Sequence, residues 1–150
     1  MYGRELSREE CTLDIREDST LGCFPLSFPE GQEVCYYSLR LKDAEGHQLS
    51  DNFYVQGRET DNFKALLDLP EARVKTGWDA GVLTLKNVSD VPAMMLRLIA
   101  LDPGTGERVL PAVYSDNYFH LMPGEERSIA VSSWDGVTPV EVAVRGFNLR

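Results

Sequence analysis

Ser115, Asp116 and His120 lie within one short stretch and supply the three side-chain types of a hydrolytic triad. No Gly-x-Ser-x-Gly turn presents the serine, and on one extended strand Ser115 and His120 stand far apart. The expected role of Asp116 and Asn117 is therefore to hydrogen-bond backbone at a strand start or bulge, which suits their short polar side chains. Glycoside hydrolysis needs two carboxylates about 5 to 10 Å apart in a cleft. Glu125-Glu126 and the Arg8-Glu9-Glu10 run offer acids, but neighbours on a strand point to opposite faces and turn acids are normally solvated. No catalytic residue is expected in this chain. Trp134, Trp78, Tyr114, Tyr118 and Phe119 could stack on a sugar ring, with core packing or interdomain contact as the competing use. Trp134 falls in a turn signal and is the first of these to consider for exposure.

Metal and redox chemistry have less to work with. Cys11, Cys23 and Cys35 occupy the first quarter of the chain without a Cys-x-x-Cys spacing, and His47 and His120 are the only imidazoles. No Asp-x-Asp-x-Asp-Gly loop is present, so no metal or other cofactor is expected. The cysteines are expected as reduced, partly buried strand residues, with one disulfide open to an exported chain. Asn87-Val88-Ser89 matches the N-glycosylation pattern, which matters only in a eukaryotic secretory setting.

These side chains must be positioned by strands. Cys11 to Arg16 alternates with period two, as a half-buried strand would. Leu21 to Phe28 carries Pro25 and is followed by Pro29, so it reads as an edge strand or extended loop. Glu33 to Lys42 is the clearest strand of the first third, and Asp43-Ala44-Glu45-Gly46-His47 is its hairpin turn, with Gly46 free to take positive φ. Gln48 to Val55 pairs back. One or two helical turns are expected from Asp61 to Pro70, with Asp61 as the cap. From residue 72 onward the predicted strands are Arg73–Trp78, Gly81–Val88, Ala93–Asp102, Val109–Val113, Asn117–Leu121, Glu126–Ser133 and Val140–Asn148, with Pro123-Gly124 set for a type II turn. That is the pattern of an immunoglobulin-like antiparallel β-sandwich. The predicted organisation is all-β: residues 1–55 as a partial β-sheet, the last strands of a neighbouring sandwich domain; 56–71 as a linker with a short helix; and 72–150 as the complete sandwich.

Lys and Arg number 15 against 24 Asp and Glu, a net charge of −9 that repels phosphate backbones and anionic lipid. Nucleic acid and membrane are not expected partners. No apolar run approaches the roughly 20 residues of a membrane helix, and the chain reads as soluble.

Five segments follow one another in a recognisable order: Leu49-Ser50-Asp51-Asn52-Phe53-Tyr54-Val55, Leu66-Leu67-Asp68-Leu69-Pro70, Leu83-Thr84-Leu85-Lys86-Asn87, Tyr114-Ser115-Asp116-Asn117-Tyr118-Phe119 and Leu121-Met122-Pro123-Gly124-Glu125. Together they resemble the C-terminal region of glycoside hydrolase family 2 enzymes of the β-mannosidase and exo-β-glucosaminidase type. Val55 stands where that family usually has Trp. The resemblance implies a noncatalytic accessory region, because the family's catalytic carboxylates lie in an upstream (β/α)₈ barrel of about 250 residues that this chain cannot contain. It implies that barrel as partner, in a parent that is often exported, with a role in structural support or the active-site rim. Two other readings stand beside it: a carbohydrate-binding module for an oligosaccharide, and a self-associating, adhesin-like domain forming a homo-oligomer through the open strand edge of residues 1–55.

Overall fold

The computed structural model describes residues 3–59, 63–136, 138 and 140–149. The chain is all-β, with strands β1 (Val34–Lys42), β2 (Gln48–Gly57), β3 (Val74–Asp79), β4 (Val82–Asn87), β5 (Ala93–Leu101), β6 (Ala112–Tyr114), β7 (Phe119–Leu121), β8 (Glu126–Ser133) and β9 (Glu141–Arg145). The helical stretch expected between the β regions is a single 3₁₀ segment, Lys64–Asp68; its expected cap, Asp61, lies outside the described residues. Two compact units divide at the end of that segment, residues 4–68 and a second comprising 1–3 with 69–150.

In the first unit, β1 and β2 form an antiparallel ribbon from Val34↔Gly57 to Lys42↔Gln48. The turn closes as its residue types require: Gly46 adopts φ 90°, its N–H donates to the Asp43 carbonyl at 3.1 Å, and the Asp43 carboxylate takes the His47 N–H at 2.7 Å. Along β1 only Cys35 is fully buried. Tyr36 stacks on Phe53 on one face of the ribbon, while Tyr37 and Leu39 are half-buried on the other. Residues 4–33 carry no strand, so the expected strand Cys11–Arg16 is not formed. Its alternation is real but Leu13 and Ile15 are exposed, and without a covered face period two has nothing to bury. The proline-broken stretch Leu21–Phe28 is an extended loop. Arg58 fastens the end of that loop, donating to the Gln32 and Pro29 carbonyls at 2.8 and 3.0 Å and lying over the Phe28 ring.

The second unit is an antiparallel sandwich. One sheet has the order β3-β4-β8-β6 and the other β7-β5-β9. The alternation of β4 and β8 sends Leu83, Leu85, Ile129 and Val131 inward, against Ala93, Leu96, Leu98, Ala100, Phe119 and Leu121 of the other sheet. Period two thus becomes a two-layer core wherever both sheets supply a face. The β3–β4 hairpin has a two-residue loop with φ 46° at Ala80 and 83° at Gly81, the backbone of a type I′ turn that matches strand twist. Pro123-Gly124 forms the expected type II turn: Gly124 has φ 77° and the Glu125 N–H reaches the Met122 carbonyl at 3.0 Å.

Candidate functional site

The segment richest in chemistry runs from Tyr114, at the end of β6, through Leu121 at the end of β7, crossing from one sheet to the other. Its polar atoms act as fasteners. The Tyr114 hydroxyl accepts the Ala100 N–H at 2.8 Å. Ser115 extends the β6–β8 pairing, donating its N–H to the Ala130 carbonyl and accepting the Ala130 N–H on its hydroxyl, both at 2.9 Å. Asp116 accepts its neighbour's N–H on one carboxylate oxygen and binds the Arg127 guanidinium with the other. Asn117 clasps Leu98 like a ladder partner, its carbonyl taking the Leu98 N–H at 2.8 Å and its amide donating to the Leu98 carbonyl at 3.1 Å.

After this clasp the chain bends sharply. Tyr118 has φ 62°, a left-handed conformation rarely adopted by a bulky residue, and its side chain is 68% exposed beneath the Arg97 guanidinium. Phe119 returns to the core under Arg127. The next side chain, His120, accepts the Met95 N–H on Nδ1 at 3.0 Å. Met95 itself has φ 52° at the irregularity where the β5–β7 register shifts between Ala93 and Leu96, and its side chain is half exposed. Burial, aided by the nearby Arg127 charge, lowers the His120 pKa and favours the neutral ring that can accept this bond. Met95 and Tyr118 are thus two outward, left-handed residues whose backbone N–H groups are held by the neighbouring His120 and Asn117 side chains.

Ser115 and His120 bind different backbone partners, Ala130 and Met95, and do not assemble with Asp116 as a triad. Glu125 accepts the Met122 N–H, and Glu126 pairs with Lys86 at 3.5 Å. Trp134 follows β8 in a turn and is 74% exposed. Trp78 lies near the end of β3, an edge strand, and is about half exposed; Tyr114, with its hydroxyl bonded, packs against the core. The four aromatics therefore separate into one internal fastener and three outward rings. A further group at the β1–β2 turn brings donor atoms of Asp43, Glu45 and His47 within 4.8 Å of one another, as a metal would need. There His47 Nδ1 already contacts Asp43 Oδ2 at 2.9 Å, and two of the three residues are exposed.

Sequence reasoning missed the structural asparagines. Asn87, fully buried, donates to the Val91 and Leu121 carbonyls at 2.8 and 2.9 Å and accepts from the Ser89 N–H and hydroxyl. Asn148 takes the Met94 N–H and donates to the Pro70 and Pro92 carbonyls. The available signal was an amide at the end of a cleanly alternating apolar strand. The Asn87 main chain also fastens the Leu121–Glu125 turn, accepting the Gly124 N–H and donating to the Glu125 carbonyl, while its side chain holds the Leu121 carbonyl.

Comparison with known proteins bears on this geometry. Residues 52–149 match the family model of the exo-β-D-glucosaminidase Ig-fold domain. The exo-β-D-glucosaminidase of Hypocrea jecorina is 34% identical over an alignment spanning 100% of this chain and 20% of that protein. A mannosylglycoprotein endo-β-mannosidase of Lilium longiflorum is 54% identical over 43 residues, 27% of this chain and 4% of its own. The crystal structure of the Amycolatopsis orientalis exo-chitosanase CsxA superposes with a TM-score of 0.62 at 23% identity, covering 80% of this chain and 18% of that one, a likeness of fold. The chain spans about one fifth of the length of its Hypocrea relative. With the sandwich formed by the matched residues and the Ser-Asp-Asn-Tyr bend in place, the chain belongs to the exo-β-D-glucosaminidase Ig-fold domain family of glycoside hydrolase family 2.

Proposed function

We propose that this chain is the noncatalytic C-terminal accessory region of an exo-β-D-glucosaminidase-type glycosidase, supporting the catalytic barrel and shaping the rim of its active site. The observation that carries this reading is the bend at Tyr118. The polar groups around it bond backbone or one another, while Tyr118 and Met95 are turned outward in strained backbone conformations. Strain of this kind persists where the fold over-determines it and a surface role uses it. In this reading residues 1–55 are the last strands of a preceding sandwich, 56–71 a linker, and the parent is an exported, soluble glycosidase of glucosamine-containing glycans. Among the described residues no helix is long and apolar enough to cross a membrane.

The test is complementation. A glycosidase of this family truncated before this region is assayed on p-nitrophenyl β-D-glucosaminide, with and without the chain. The chain alone is expected to release no nitrophenol, to restore activity in the mixture, and to restore less of it as Tyr118→Ala. Turnover by the chain alone, or equal restoration by the variant, contradicts the proposal.

The exposure of Trp134 and Trp78 favours a second reading, a carbohydrate-binding surface. It predicts saturable quenching of tryptophan fluorescence by chitosan oligosaccharides that disappears in Trp134→Ala. An unchanged signal up to millimolar sugar removes it. Self-association through the edges of the β1–β2 ribbon is the third, and a monomeric mass in solution removes that one.

A further inference from the structure

Two sets of side chains depart from what their types lead one to expect. Cys11 and Cys23, expected as partly buried strand residues, are exposed, and only Cys35 on β1 is buried. The second departure lies in the sandwich, where Arg97 of β5 stands directly opposite Arg145 of β9. Both side chains point outward, because their strand neighbours Leu98 and Val144 pack into the core. Gly146 carries the alternation past the end of β9: a Cβ there would lie 2.9 Å from the Leu96 side chain, so Arg145 and Phe147 flank an inward position. Like charges directly opposite one another destabilise an antiparallel pair. Among the described residues neither guanidinium has a carboxylate partner; Arg97 lies 5.9 Å from the centroid of the Tyr118 ring, and Arg145 is exposed. Around the pair, Met95, Tyr118 and Phe147 are each about half exposed or more, and the Phe147 N–H is tied to the Met94 carbonyl at 2.8 Å. A methionine, two aromatics and two arginines thus share the outer side of the β7-β5-β9 sheet. Those are the residue types enriched in the cores of protein–protein interfaces, with Tyr and Arg prominent among the side chains that carry the binding energy.

We propose that this face, centred on Arg97, Arg145 and Tyr118, docks against a carboxylate-bearing protein surface, that of the catalytic portion of the parent glycosidase. The assignment rests on the accessory role proposed above and adds the chemistry of the contact. In a chain of net charge −9, two facing arginines without a carboxylate partner are a local excess of positive charge, and their complement is anionic. A carboxylate set between them accepts charge-assisted N–H bonds and turns their mutual repulsion into attraction, while Tyr118, Met95 and Phe147 supply apolar contact around it. The partner has room for such a surface, since this chain spans 20% of its Hypocrea relative. The substrate does not fill the same place: a protonated amino sugar is repelled by both guanidiniums. Docking also accounts for two local costs of the free chain, the like-charge pair and the left-handed backbone at Tyr118 and Met95, since both lie on the face that the partner covers.

Arg145→Glu separates docking from folding, because it replaces a like-charge cross-strand pair with an opposite-charge one. The full chain carrying it should melt at or above the wild-type temperature, yet bind the truncated glycosidase of the complementation test at least about tenfold more weakly by calorimetry. Arg97→Gln should weaken binding in the same direction. Wild-type binding should also weaken when the ionic strength is raised about tenfold, which shortens the Debye length about threefold. Wild-type binding that both variants leave intact, or that salt leaves unchanged, would overturn the assignment while the accessory role stands. A wild-type chain that neither binds the truncated enzyme nor restores its activity would overturn both. Heparin serves as the competing polyanion: binding of heparin that Arg145→Glu abolishes, with no such effect on the glycosidase, would give the face to an anionic polysaccharide and overturn the assignment.

Discussion

Asn87 shows how one side chain can set the local architecture of a sandwich. Its amide group is fully buried and saturated, donating to the Val91 carbonyl in the loop before β5 and to the Leu121 carbonyl at the end of β7 while its oxygen receives Ser89 twice. Asn87→Ala would leave the Val91 and Leu121 carbonyls without these donors, so a loss of about 3 kcal/mol is expected, read as a lower urea midpoint with an unchanged slope. The same burial decides the fate of the glycosylation pattern at Asn87-Val88-Ser89. A glycan on an amide nitrogen that already points at two main-chain carbonyls cannot coexist with this fold, so folded protein from a eukaryotic secretory host should carry an unmodified Asn87 by mass spectrometry. His120 adds a pH dependence whose sign follows from its lowered pKa. The unfolded ring, with a pKa near 6.5, takes up a proton before the folded one does. The stabilisation is therefore complete above pH 6.5 and is lost as the pH falls toward the folded pKa. Denaturant midpoints between pH 8 and 5 should fall across that window, and His120→Gln, whose side-chain oxygen can still accept the Met95 N–H, should flatten the fall.

At the scale of elements, the strands beyond residue 72 were legible because two independent signals agreed. Alternation named the inward faces of β4 and β8, and turn residues at Gly81 and Pro123-Gly124 placed the reversals. The same alternation at Cys11–Arg16 misled because periodicity records which side chains could be buried together, and no second layer covers that stretch. Asp116 and Asn117 could be read as backbone binders from their side-chain chemistry. Their partners, Arg127 and Leu98, are set by the sheet-to-sheet crossing and could not be. Likewise, nothing local to Met95 marks the bulge, which arises from the pairing of β5 with β7. The β3–β4 turn holds one correctable conflict. Ala80 occupies a left-handed position of a type I′ turn that Asn fills at lower cost. Ala80→Asn should raise stability by about 0.5–1 kcal/mol. Thermal unfolding monitored by far-UV circular dichroism should show the higher midpoint, and a lower one would mean that the alanine methyl makes a contact worth more than the strain.

Across the whole molecule, the two units differ in what they can bury alone. Residues 69–150 enclose a layer of aliphatic side chains between two sheets, with Leu85, Ala93, Leu96, Ala100 and Leu121 at 0% exposure. In residues 4–68 the single β-ribbon leaves Leu41, Leu49 and Tyr54 more than half exposed, and the segment before it exposes Leu6, Ile15, Leu21 and Leu26 to a similar degree. An isolated two-stranded ribbon is marginal in water because neither face is covered and every backbone group on its outer edges is left to solvent. Local opening should therefore begin in the first unit at a free energy well below that of the sandwich. Brief trypsin treatment of the reduced full chain is expected to cut first among Arg4, Arg8, Arg16 and Arg40, and then at Arg58 or Lys64. A fragment containing β3 through β9 should persist much longer. That order follows from unequal burial, since basic residues also occur throughout the sandwich, including Arg73, Lys75, Lys86, Arg97 and Arg127. Equal rates of cleavage in both units would mean that the ribbon and the sandwich unfold together, and that the apolar surface of residues 4–68 is covered in solution. Under the proposed accessory role, adding the truncated glycosidase of the complementation test should slow the early cuts, and unchanged early cuts would mean that this surface does not dock there.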